Sequence, residues 1–262
     1  MNLNNKKHNY KLMSCFVILI IITALMASNK AYSQFEKGFS ISGGLYTTTV
    51  LGNNPGIKPF AERDATKPPL FGGGFSGPQP GFEILFYFPV GKSDRLSVPF
   101  GFNYTFFTGL ERIPQSIYVT QRIVHSVDIA TLALGMQYAV LKYDIANAKI
   151  YTGVNLTSSF ISKNNFSVTT EYKLIDSTEV LSQSLKSACT RFGGELSLGI
   201  EGEIAPSWFV NINGSLGILN LLGRDNSRGE LLTPSKVTPF YTENKEQYIY
   251  TFHYTFLVQY RL

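Results

Sequence analysis

The sequence predicts an all-β fold: an eight-stranded antiparallel up-and-down transmembrane β-barrel, with short turns at one end and long loops at the other. From Gly38 onward no useful length of chain carries a helical period, whereas alternation of period two recurs throughout. In the clearest run Leu96, Val98, Phe100, Phe102, Tyr104 and Phe106 alternate with Ser97, Pro99, Gly101, Asn103 and Thr105, so one face is bulky and apolar and the other small or polar. The lumen of an eight-stranded barrel is just wide enough to be filled by side chains and cannot take so many Phe and Tyr rings. The small and polar face therefore points inward and the bulky face outward, against lipid.

At the N-terminus, MNLNNKKHNYK carries Lys6, Lys7 and Lys11 and no acid, and an apolar run of 12 residues follows from Phe16 to Ala27. That run is too short to cross a bilayer of roughly 30 Å as a helix. With Ala31-Tyr32-Ser33 offering small residues to a signal peptidase, it predicts a cleaved signal peptide over 1–33 and a mature domain over 34–262. Cleavage removes four lysines and no acid, which lowers the net charge from +5 to +1. The mature chain thus lacks the clustered Lys and Arg of a nucleic-acid footprint. It keeps one cysteine, Cys189, which excludes an intramolecular disulfide.

Eight strands follow, at 38–49, 80–90, 95–107, 123–141, 149–161, 189–204, 208–219 and 248–260. The connections at 91–94, 142–148 and 205–207 are short; those at 50–79, 108–122, 162–188 and 220–247 are long. Antiparallel succession puts all short turns and both chain ends on one side, and closure pairs every backbone group, the condition for crossing lipid without helices. The stretch GELSLGIEGEI at 194–204 has the same grain: Glu195, Glu201 and Glu203 face the lumen, and Leu196, Leu198, Ile200 and Ile204 face lipid. Unpaired buried charge is costly. Glu83, Glu195, Glu201 and Glu203 are therefore expected in a structural network with Arg191, His253 and Arg261, which alternation also turns inward. Phe39, Trp208 and Tyr260 fall near the short-turn end, where an aromatic girdle at the membrane interface belongs.

On this pattern the chain resembles the outer-membrane β-barrel domain family of Gram-negative bacteria, the small eight-stranded barrels of the OmpA and OmpX kind and, in other lineages, PorT-like proteins. The resemblance covers nearly all of the mature chain, and its most specific element is the last strand. There Thr255, Tyr260 and Leu262 follow the family's alternation, while Leu257 stands in place of its glycine and Leu262 in place of its terminal aromatic. The resemblance implies residence in the outer membrane among its lipids, insertion by the barrel-assembly machinery through the C-terminal strand, and no shared catalytic residues.

Glu201 and Glu203 lie roughly 6–7 Å apart along a strand, a glycosidase-like spacing, but a filled lumen leaves no room for a sugar chain. Of the histidines that survive cleavage, His125 adjoins Ser126, and neighbours on a strand face opposite ways, so the two form no nucleophile and base. No cofactor, metal site or enzymatic activity is expected. Gly72-Gly73-Gly74, in a first long loop rich in proline, lacks the following helix of a phosphate cradle and reads as part of a loop that contacts other proteins or folds over the mouth. Alternation from Thr169 to Lys173 extends a hairpin past the membrane. A structural or surface-binding role through the long loops is expected. The alternatives are a narrow gated pore, an accessory component of a secretion or envelope-assembly machine with a periplasmic partner, and a soluble ligand-binding barrel, which would need the aromatic face inside.

Overall fold

The computed structural model describes residues 38–60, 72–91, 95–221, 231–234 and 248–262; the expected signal peptide over 1–33 lies outside the described residues. The strands are β1 (Ser40–Leu51), β2 (Gln79–Val90), β3 (Leu96–Pro114), β4 (Val119–Tyr143), β5 (Ala148–Ile161), β6 (Asn165–Tyr172), β7 (Ser177–Gln183), β8 (Cys189–Ala205), β9 (Trp208–Leu219) and β10 (Ile249–Arg261). Eight of them, all but β6 and β7, pair in an antiparallel ring that β1 and β10 close, Ser40 opposite Arg261 and Leu51 opposite Tyr250.

The ring matches the expected eight strands; the extra pair is a hairpin inserted between β5 and β8. It exists because β4 is long. The half of β4 from Ile129 to Tyr143 pairs with β5, and the half from Val119 to Ser126 pairs with β6. β3 runs with β4 as far as Pro114 opposite Thr120, so β3, β4, β6 and β7 form a blade that rises beyond the ring on the long-loop side. The expected strand ends at 107 and 123 thus fall short, because pairing continues where the barrel stops.

Alternation sorts the two faces as the side-chain sizes demand. Leu134, Leu156, Leu198, Ile200, Leu216, Phe256 and similar residues stand exposed around the outside, whereas Ser42, Thr131, Ser159, Ser197 and Asn211 are buried inside. An apolar exterior over a polar interior is the pattern of a barrel that stands in lipid. The belt thins on the long-loop side near Phe106 and Ala130, above which Thr108, Arg112, Asp128, Ser126 and Arg122 share the outward positions with Leu110 and Val124.

The interior has two zones. Its lower part is mostly polar, with one small apolar cluster of Leu85, Tyr87 and Leu257. Towards the loops it becomes a hydrophobic core in which Val50, Phe107, Val127, Ile129 and Ile161 of the wall pack against Phe75, Leu231 and Leu232 from the loops. A second cluster above it joins Phe60 to Ile113, Ile123 and Phe166. The first long loop therefore folds over the mouth, and the loop around Leu231 does the same.

Candidate functional site

The candidate site is the lumen together with the apolar cap that closes it. At the short-turn end Glu201 is 1% exposed, and its two carboxylate oxygens meet Lys149 Nζ at 3.0 Å and Arg261 Nη2 at 3.1 Å. Lys149 lies directly opposite Glu201 in the β5–β8 register, while Arg261 reaches over from β10 with its guanidinium 4.1 Å from the Phe209 ring centre. Just above, Tyr151 Oη donates to Asn211 Oδ1 at 2.6 Å and Asn211 Nδ2 donates to Tyr87 Oη at 3.3 Å. These side chains make a floor. Below it, among the short turns, a bowl of about 350 Å³ is lined by Tyr87, Lys142, Asn147, Lys149, Gln259 and Arg261 among others.

Above the floor Glu195 Oε1 lies 3.6 Å from His253 Nε2. His253 is held by hydroxyls on both nitrogens: Tyr46 Oη at 2.6 Å and Thr48 Oγ1 at 2.9 Å from Nδ1, and Thr251 Oγ1 at 2.7 Å from Nε2. Glu83, buried in β2, accepts a hydrogen bond from Asn103. The cavities left at this level are small, about 40 Å³ and about 10 Å³.

The sequence-predicted charges thus fall at separate levels. Glu201 and Arg261 meet, as do Glu195 and His253. Glu203 bonds to Asn147 at the rim, beside a register shift in the β8–β9 pairing. Arg191 is buried at the opposite end of β8 from Glu201, where its Nη1 donates to the Thr190 carbonyl at 2.8 Å. Sequence reasoning missed Lys149, which alternation along β5 placed inside with Tyr151; choosing it as the partner of Glu201 required the register between strands. Phe39, Trp208 and Tyr260 all stand at the short-turn end. The Trp208 and Tyr260 rings are 5.0 Å apart, and Phe39 lies 5.9 Å from Phe86 and 5.4 Å from Phe88. A matching aromatic ladder, Phe82, Tyr104 and Phe106, crosses the outer face towards the loop end, with centroids 5.8 and 4.9 Å apart.

The cap is built around His125, which is fully buried above the apolar belt. Its ring stacks on Phe75 at 4.8 Å and meets Phe60 and Phe166 at their edges. Nδ1 lies 2.9 Å from the Gly73 carbonyl and Nε2 3.1 Å from Asn164 Nδ2. Asn164 Oδ1 accepts from the Leu185 and Lys186 amides, which fixes its NH₂ toward the ring. Nε2 is therefore an acceptor, and the proton sits on Nδ1, donated to Gly73. Burial pushes the His125 pKa down to about 4, helped by the charge of Lys186 and opposed by the bond to Gly73. Lys186 Nζ in turn donates to the Thr233 carbonyl at 3.3 Å, so three loops are tied at one point. The glycine run serves packing here: a Cβ on Gly73 would come 2.3 Å from the Leu232 carbonyl oxygen.

No family model and no curated protein matches the chain. Among solved structures it is similar to Ail, the attachment invasion locus protein of Yersinia pestis, at 10% identity and a TM-score of 0.36, over 86% of this chain and 98% of that one. The complex of Ail with the heparin analogue sucrose octasulfate gives 11% identity and 0.37 over 86% and 99%. Neisserial surface protein A gives 10% identity and 0.43 over 86% and 97%.

Proposed function

We propose that this chain is an outer-membrane β-barrel with a sealed lumen that works through what its long-loop end binds at the cell surface. The observation that carries the reading is the pairing of a closed interior with an elaborate exposed end. The floor of Glu201, Lys149, Arg261, Tyr151 and Asn211 and the cap around His125 both cross the lumen, and the cavities between them are of a few water volumes. The blade, by contrast, presents Ile117, Leu174, Ile175, Val180 and Leu181 to solvent. Exposed apolar residues clustered on a raised element mark a protein-contact surface, and the partner is a protein at the cell surface. The alternation of faces supports residence in lipid, and an N-terminal signal peptide with assembly through the C-terminal strand supplies the route.

The test has two arms. Outer-membrane fractions containing the expressed protein are run unboiled and boiled on a denaturing gel, where a closed barrel is expected to change mobility on heating. Crosslinkers placed at Val180 are then expected to capture neighbours that crosslinkers at Ser207 do not. Soluble protein without a heat shift would refute the membrane reading, and capture only from Ser207 would refute the surface reading. The second outcome would favour an accessory role on the periplasmic side, for which the basic bowl beside Lys149 and Arg261 is the supporting observation.

A further inference from the structure

Midway up the lumen lies a cavity of about 10 Å³, the space of a single water or ion. Two carboxylates, Glu83 and Glu195, line it, and its lining includes no Lys or Arg. Three further oxygens in that lining, Asn155 Oδ1, Asn213 Oδ1 and Thr255 Oγ1, receive no hydrogen bond from any protein group although each is shut away from solvent. Thr255 is only 3% exposed. His253 stands on the far side of Glu195, lining the neighbouring 40 Å³ cavity, with hydroxyls on both ring nitrogens. Gly135 keeps the place of Asn155: a Cβ there would fall 1.9 Å from Asn155 Oδ1.

Two buried carboxylates beside oxygens that need a positive partner constitute an unbalanced site. We propose that this cavity binds one hard divalent cation, Ca²⁺ by preference, held by Glu83, Glu195 and the side-chain oxygens of Asn155, Asn213 and Thr255. Two carboxylates offset a double positive charge. Ca²⁺ accepts carboxylate and amide oxygens in a flexible shell, whereas Mg²⁺ demands a near-ideal octahedron and keeps its waters. Softer metals prefer imidazole and thiolate, and the lining of this cavity includes neither His nor Cys. The inference concerns the interior and holds whatever the blade binds. Because floor and cap enclose the site, the ion enters as the barrel folds.

The whole barrel is refolded into detergent micelles with Ca²⁺ or with chelator, freed of loose ion and assayed for metal per chain. About one Ca²⁺ per chain is expected. Glu83→Gln and Glu195→Gln are each expected to weaken retention about tenfold or more, Thr255→Val by several-fold, and Glu203→Gln at the rim not at all. Folding of every variant is checked by its heat shift. Should the carboxylate variants fail to fold, the native barrel is refolded with Tb³⁺ in place of Ca²⁺, where emission sensitised by Tyr46, itself in the cavity wall, is expected, and is expected to be suppressed when excess Ca²⁺ is present during refolding. A folded barrel that keeps no Ca²⁺, retention undiminished in Glu83→Gln and Glu195→Gln, or Tb³⁺ emission absent from the native barrel would each overturn the proposal; a proton on one carboxyl would then balance the charge.

Discussion

At the scale of single residues, the consequences concentrate where charge is buried. Glu201 answers two cations at once. Glu201→Ala strands both, and because Arg261 is partly exposed and can turn to water, the expected loss is about 3 kcal/mol, the lower end for breaking a buried pair; it is read as a lower temperature for the gel shift. His125 makes a pH prediction. Its folded pKa of about 4 lies below the ordinary value of 6.5. As pH falls between those values, protons bind the unfolded loops before the cap, so stability is complete above 6.5 and declines towards 4 by at most a few kcal/mol. Proteolysis of the loop around Gly73 is expected to accelerate at pH 5 relative to pH 7, and His125→Gln to flatten that difference. Much of this scale was legible beforehand. Period two turned Glu201 and Arg261 inward, since direction is local information. The choice of Lys149 as partner was not, because it depends on how β5 is registered against β8.

At the scale of elements, the wall could be read and the blade only in part. A wall strand has lipid on one side and lumen on the other, which writes a strong contrast into its sequence. β6 and β7 rise beyond the membrane, and β7 is exposed at every position, so its sequence, STEVLSQ, shows little contrast. The alternation from Thr169 to Lys173 signalled a hairpin but neither its pairing with β4 nor its length. That the first loop folds over the mouth was one of two alternatives, but the residues it buries were hidden for another reason: Phe60 and Phe75 sit on a loop, and loops have no period from which burial can be read. Since β6 and β7 contribute nothing to ring closure, replacing residues 165–183 with a short turn is expected to leave the heat shift intact and abolish capture by a crosslinker at Ile117, which the deletion retains. Loss of the heat shift would show instead that the hairpin supports the ring.

At the scale of the whole molecule, the lumen is interrupted twice, by a polar floor and an apolar cap. In planar bilayers the intact barrel is expected to give no stable conductance steps, and conductance that appears only after the first loop is removed would identify the cap as the gate of a pore. The closing seam carries a further consequence, for how the molecule comes to exist. β1 and β10 stand at opposite ends of the chain, and the bonds of His253 to Tyr46 and Thr48 bridge sequence separations of 207 and 205 residues across it. Every other neighbouring pair in the ring is closer along the chain, and contacts so remote form slowly, since so much chain must first be brought into order. The imidazole therefore works as a clasp fastened at the last step of assembly, and a chain with His253→Ala would be slowest at the moment when the sheet becomes a tube.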